Sequence, residues 1–403
     1  IRLSLVGSEM CIRDRCRAIE RALCARDYAL ILGMPGTGKS STIAMLVRIL
    51  VELGQRVLLC SHTHSAVDTI VSKLLDAPVL RLGPLSRVHP RVHACTLTAR
   101  LGTCATSEEV VQVVAEAQVV AATCLGTSDA VLARRAFDVC IIDEASQITV
   151  PTCLGPLRLA DRFVMIGDHH QLTPLVRDTD AAQHGMSVSL FQRLCKAHPS
   201  SVAMLCTQYR MNADIMALSN ALVYDGRLVC GNESVACAKF TMKRDACPSW
   251  LWDVLDPARP AVFVDTDAVK AVESRADTLV ENRVEAEWIV RMSDVLIQAN
   301  VAAADIGILT PYRQQAKLLR DRCACEVLTV DQAQGRDWPV VLVSLVRSNK
   351  THTVGELLRD QRRVNVMITR AKTKLVLVGS YSTMIHGPCT EPMPCLLYTS
   401  PSP

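Results

Sequence analysis

Residues 28–40 read YALILGMPGTGKS, and no other stretch constrains the fold as strongly. YALILG (28–33) is a short apolar run of buried-strand character. A glycine-rich turn follows, and then STIAMLVRILVELG, whose apolar residues recur at helical spacing. Gly33, Met34, Pro35, Gly36, Thr37, Gly38, Lys39 and Ser40 fit the pattern G-x-x-x-x-G-K-[ST] in the strand–turn–helix context it requires. Glycines let backbone N–H groups turn inward around a phosphate, and the helix N-terminus adds positive potential. Gly33, Pro35, Gly36, Thr37, Gly38, Lys39 and Ser40 are therefore candidate nucleotide-binding residues. Lys39 would reach the β- and γ-phosphates of ATP, and the Ser40 hydroxyl would ligate Mg²⁺.

The strand run at 28–33 is one of many. RVLLCS (56–61), QVVAATC (118–124), FDVCIIDEA (137–145) and RFVMIGD (162–168) form a first series. AVFVDT (261–266), DIGILT (305–310), CEVLTV (325–330), VVLVSLV (340–346) and KLVLVGS (374–380) form a second. Continuous Val/Ile/Leu runs separated by amphipathic stretches predict parallel strands covered on both faces. Two such arrays predict an α/β chain of two tandem doubly wound domains. The expected bounds are 16–204, with a small insertion at 78–117, and 205–388. Residues 2–15 and 394–403 resemble translated sequencing adapter, so 1–15 and 389–403 are set apart and the chain is expected to be a fragment.

Composition removes several classes. The 403 residues carry 44 Lys+Arg against 40 Asp+Glu, so any nucleic-acid contact must be local rather than global. Aromatics are 4%, too few for a base-stacking sheet. The 18 cysteines contain no C-x-x-C pair, which argues for reduced thiols and against zinc or an iron–sulfur cluster. No apolar run of about 18 residues occurs, so no membrane span is expected.

Other strand ends carry chemistry. Asp143 and Glu144 follow FDVCII, at the strand edge where ligands bind in parallel sheets. Asp143 would hold Mg²⁺ through water, and Glu144 would act as general base. In GDHHQLTP (167–174), Gln171 is placed to sense the γ-phosphate or its attacking water. The second array offers Arg210 in TQYRMN and Arg370 in RRVNVMITRAK as cations for the developing γ-phosphate charge, with Arg363 seven residues before Arg370 on nearly the same helical face. Tyr209 suits either adenine stacking or a core position. Gln332, Gly335 and Asp337 in TVDQAQGRDW are candidates for a ribose or a nucleic-acid strand.

In order, GMPGTGKS, SHTHSAVD, TCLG, DEASQ, GDHHQL, QYRM, TVDQAQGRD and NVMITRAK resemble the motifs of superfamily 1B helicases. Their wording, over roughly 16–388, is similar to the helicase region of the eukaryotic DNA replication ATP-dependent helicase/nuclease family. The resemblance implies two RecA-like lobes closing on ATP and a 5′→3′ motor on single-stranded DNA in replication and repair. It also implies replication protein A as a partner and location in the nucleus, with mitochondria as a second compartment. Thr63, Ser65, Thr123, Pro311, Tyr312 and Thr329 would line the strand channel, where small hydroxyls and backbone amides hold phosphates without reading sequence.

Two departures accompany the resemblance. The family's adenine-recognising glutamine would fall near position 15, where Arg15 stands. Its nuclease domain and iron–sulfur cysteines have no counterpart, so no nuclease activity is expected. Two rival readings are an RNA helicase of the nonsense-decay type and a nucleotide-gated nucleic-acid clamp without unwinding.

Overall fold

The computed structural model describes residues 9–386 except 103–105, 134 and 277–278. Expectations for residues 1–8 and 389–403 lie outside the described residues. The chain divides into two compact units, the division falling between Cys206 and Thr207.

The first unit is built on seven strands: β1 (Tyr28–Gly33), β2 (Val57–Ser61), β3 (Val79–Arg81), β4 (Val119–Thr123), β5 (Phe137–Asp143), β6 (Ala160–Gly167) and β7 (Val202–Leu205). They form one sheet in the order β3-β4-β2-β5-β6-β1-β7, with every pairing parallel. The continuous apolar runs follow from this. Side chains alternate faces along a strand, and both faces here are covered. Ala29, Ile31, Val57, Leu59, Val139 and Ile141 pack into one core. Leu30, Leu32, Leu58, Cys60, Cys140 and Ile142 pack into the other. Each fully buried aliphatic side chain is worth roughly 1.5–3 kcal/mol relative to exposure. Cys60, Cys124, Cys140 and Cys153 are free and buried, and burial pushes the Cys153 thiol up to about 12.

Three local features differ from the sequence pattern. A helix occupies Glu9–Cys24, so it begins inside the segment set apart as adapter-like. The region 78–117 is not wholly an insertion, because Val79–Arg81 is an edge strand of the main sheet. Arg81 disguises that strand. Its side chain is fully buried, with Nε donating to Asp68 Oδ1 at 2.7 Å. Finally, Val202–Leu205 is a seventh strand, paired with β1 just before the division between units.

In the second unit, β8 (Thr207–Gln208) and β9 (Val229–Cys230) make a short parallel pair. The main sheet comprises β10 (Ala261–Asp265), β13 (Ile306–Thr310), β14 (Glu326–Thr329), β15 (Trp338–Ser344) and β16 (Ala371–Gly379). Its order is β10-β16-β15-β13-β14, again all parallel. An antiparallel pair, β11 (Ser274–Ala276) with β12 (Leu279–Glu281), lies outside this sheet. Lys374 sits within β16 with a fully buried side chain, its ammonium capped by the carbonyls of Asp256 and Arg259. Burial lowers it to about 7. Among the described residues, no helix is long and apolar enough to cross a membrane.

Candidate nucleotide site and its arginine cluster

The phosphate loop is shaped by where its side chains are missing. Gly36 and Gly38 take φ of 72° and 81°, the left-handed region that glycine enters without strain. Thr37 ties the loop inward, with Oγ1 donating to the Met34 carbonyl at 2.8 Å. Gly33 serves another purpose. A Cβ there would stand 2.4 Å from Cγ of Lys39, because the lysine stem folds across it and Nζ donates to the Gly33 carbonyl at 2.9 Å. Helix Lys39–Glu52 begins after Gly38 with no side-chain cap; the Ser41 N–H donates to the Gly38 carbonyl at 3.0 Å, and the N–H groups of Lys39 and Ser40 are the ones left at the loop. Arg15 lies against this loop, its guanidinium donating to the Thr37 carbonyl at 3.1 Å.

Asp143 closes β5 with its carboxyl only 4% exposed, and Oδ1 has no hydrogen-bond partner. Burial and the neighbouring Glu144 carboxylate push Asp143 up from the ordinary carboxylate range, while the Lys39 ammonium pulls it back. Glu144 has φ 50° and ψ 37°. Such a backbone is costly for a residue with a Cβ. Gln147 Nε2 donates to Glu144 Oε2 at 3.2 Å. Gln171 is buried and donates through Nε2 to Asp168 Oδ2 at 2.8 Å. Asp168, which the sequence reading did not single out, thereby fixes the amide. Its sequence signals are its place directly after β6 and within GDHHQL, three residues before Gln171.

The second unit gathers its cations separately. Arg210 pairs with Asp337 at 2.9 Å and donates to the Thr369 carbonyl at 3.2 Å. Lys372 reaches the same carboxylate at 2.7 Å. Burial pushes Asp337 up, but Arg210, Lys372 and Arg370 outweigh it and hold the carboxyl below its usual range. Arg370 is 2% exposed. Its guanidinium donates to the Val366 carbonyl at 2.9 Å, the Arg336 carbonyl at 3.1 Å and Thr369 Oγ1 at 2.9 Å. Arg210 and Arg370 thus meet around Asp337 and Thr369. Arg363 does not share their face. The helix Gln361–Ile368 ends before Arg370, and Arg363 pairs with Asp331 and Asp360.

Several expectations need correction. Asp337 is engaged by Arg210 and Lys372, so it holds cations rather than standing ready for a ribose. Gln332 Oε1 accepts from the Thr329 backbone N–H and hydroxyl, at 3.1 and 3.2 Å, and so serves the turn. Gly335, with φ 83°, has nothing within reach of an added Cβ. Tyr209 is half-buried and packs its ring onto Gly231, where a Cβ would lie 2.2 Å from it. Pro311 and Tyr312 are buried, the tyrosine beside Val280 and Val346, so neither side chain faces a channel. Thr123 caps the Gly126 N–H from a position 9% exposed. Thr63 and Ser65 are exposed, Thr63 capping the helix His64–Val71 by accepting from Ala66 N–H at 3.2 Å.

AAA-domain family models match residues 13–108 and 103–178, and again 186–382. The DNA replication ATP-dependent helicase/nuclease DNA2 of Homo sapiens is 45% identical over 400 residues, which cover 93% of this chain and 37% of that protein. The Xenopus laevis relative of the same name is 43% identical, covering 95% of the chain and 38% of that protein. JHS1 of Arabidopsis thaliana, with the same description, is 44% identical, covering 96% and 30%. The chain belongs to the DNA replication ATP-dependent helicase/nuclease family. It spans under two fifths of the length of these family members. An arterivirus nonstructural protein 10 helicase structure is 16% identical at a TM-score of 0.46, covering 90% of this chain and 62% of that one. Within the family frame, the strand-end residues gathered here fall in the matched segments. Gly33 to Gln171 lie in the first and Arg210 to Arg370 in the second.

Proposed function

We propose that this chain hydrolyses ATP to translocate 5′→3′ along single-stranded DNA and unwind duplex, as a helicase of DNA replication and repair. One observation carries the reading: a glycine loop with a lysine folded over it stands near a buried carboxylate with an unused oxygen and a strained glutamate. The loop amides and Lys39 would bind the β- and γ-phosphates. Glu144 would take the proton from the attacking water, which Gln171 orients. Arg210 and Arg370 would neutralise charge developing on the γ-oxygens. The orphaned Oδ1 of Asp143 and the Ser40 hydroxyl fit Mg²⁺, which when bound shields the phosphate charge. Nuclear location and a single-strand-binding partner such as replication protein A rest on the family alone.

Hydrolysis measured with single-stranded DNA and RNA side by side tests the reading. Stimulation by DNA together with strand displacement supports it. Stronger stimulation by RNA favours the RNA-helicase alternative, and stimulation without displacement favours a clamp. Glu144→Gln should keep ATP binding and lower turnover by about 10²–10⁴-fold. The same incubation should leave the strand uncut, since no nuclease activity is proposed for this chain.

A further inference from the structure

The first unit holds a second polar cleft away from the phosphate loop. It has a volume of about 390 Å³ and runs between the helix His64–Val71 and the segment 86–91. Ser65, Thr69 and Ser72 line one wall, and Ser86, Arg87 and Arg91 line the other. Ser65, Thr69 and the C-cap residue Ser72 are spaced by four and three, which places their side chains on one face. Its volume lies in the range of small-ligand sites.

The charge of this cleft is positive and uncompensated. Asp68, the acidic residue of the lining, has both oxygens committed, Oδ1 to Arg81 Nε and Oδ2 to the His89 N–H at 2.8 Å. Arg87 and Arg91 are exposed and form no ion pair among the described residues. His64, at the head of the same helix, is held below its ordinary range by burial and then by Arg81, with Arg87 adding to the effect. The backbone of the segment is fixed, because His89 accepts from the Arg91 N–H at 3.2 Å while donating its own N–H to Asp68. Thr69 and Ser72 spend their hydroxyl protons on helix carbonyls. Ser65 and Ser86 donate to no acceptor among the described residues.

Two cations and one available hydroxyl donor on one wall, facing a second hydroxyl donor on the other, suit an anion with several oxygens. The cleft has no aromatic platform besides His89 and no groups arranged to read bases, so the backbone of a strand fits it better than a nucleobase. We propose that this cleft seats phosphodiesters of a single nucleic-acid strand, with Arg87 and Arg91 as the cations and Ser65 and Ser86 as donors. The strand would continue past Thr63 along the helix face. This rests on the strand-binding function proposed above and extends it from Ser65, within SHTHSAVD, to Ser86, Arg87 and Arg91, which lie outside the recognised motifs.

The test is binding of the whole chain to oligo(dT) across a salt series, by fluorescence anisotropy. Removing two phosphate contacts should flatten the dependence of log affinity on log salt by about 1.4. Arg87→Ala/Arg91→Ala should show that flattening and about tenfold weaker binding at low salt, with strand-free ATP hydrolysis unchanged. Arg87→Lys/Arg91→Lys should restore most of the slope. Ser86→Glu, which places a like charge against the phosphate, should weaken binding to a similar degree. If the unmodified chain binds the strand and the double alanine variant keeps its slope, the cleft is not a phosphate seat. If the unmodified chain binds no strand at all, the proposed function and this inference fall together.

Discussion

The phosphate loop of the first unit and the arginine cluster of the second treat charge in opposite ways. Around the loop, groups are left with capacity to spare: Asp143 keeps an unpartnered buried oxygen, and the first turn after Gly38 has no capping side chain. In the cluster, almost nothing is spare. Arg370 donates to three acceptors of its own unit, Arg210 is tied to Asp337 and Thr369, and Lys372 is paired with the same Asp337 carboxylate. One region leaves a buried carboxylate oxygen and an uncapped helix start, with its lysine held by a single carbonyl, whereas the other holds both arginines in several internal bonds that a ligand must compete with. Preorganised groups cost no rearrangement at the moment of reaction, while stored ones have to be exchanged.

The largest test of this contrast is Lys39→Ala, which should bring hydrolysis down to the uncatalysed background, a loss of about 10³-fold or more. Folding should survive, since Lys39 makes a single bond to its own loop. Arg370→Ala should lower kcat by about 10³-fold and also weaken the second unit, by about 1–3 kcal/mol in denaturant unfolding, because it strips donors from buried acceptors. A kcat change within a few-fold, with the stability loss intact, would make Arg370 a structural residue only. Asp337→Asn acts one step further out. By loosening Arg210 and Lys372 it should lower kcat by about 10–100-fold, with nucleotide affinity unchanged. An unchanged kcat would mean the carboxylate does not position the arginine.

Much of this was legible in the residues. Strands of continuous Val, Ile and Leu announce themselves because both faces are covered, and the glycine loop because its chemistry leaves few substitutes. The edge strand Val79–Arg81 was hidden because its third residue is an arginine, which reads as surface until Asp68 is seen beside it. Val202–Leu205 was hidden by its brevity next to the point where the pattern breaks. At the site, strand-end carboxylates could be found by position. The partners of Arg370 and Asp337 could not, because Arg336, Thr369 and Lys372 come together only through β15 and β16 lying side by side. Tyr312 and Thr123 misled for a related reason: a motif letter says nothing about which way the side chain is turned.

The smallest test concerns the stored charge of Lys374. Its ordinary value near 10.5 falls to about 7 in the fold, so between these limits the unfolded chain binds the extra proton. Stability should therefore rise with pH over that window, by up to about 1.4 kcal/mol per pH unit, and fall as pH drops toward 7. Lys374→Met should remove that slope in thermal unfolding measured from pH 7 to 9. A slope that survives the substitution would assign it to another group.

Glu144 combines an awkward backbone with the chemistry asked of its carboxylate. Glycine or asparagine would sit there at lower conformational cost. A deep mutational survey scored by cellular abundance would then rank those two replacements as neutral or improved. The same survey scored by survival under replication stress would rank them among the losses. Such a split between two rankings of one position would mark where natural selection has kept a poorer fold for the sake of turnover.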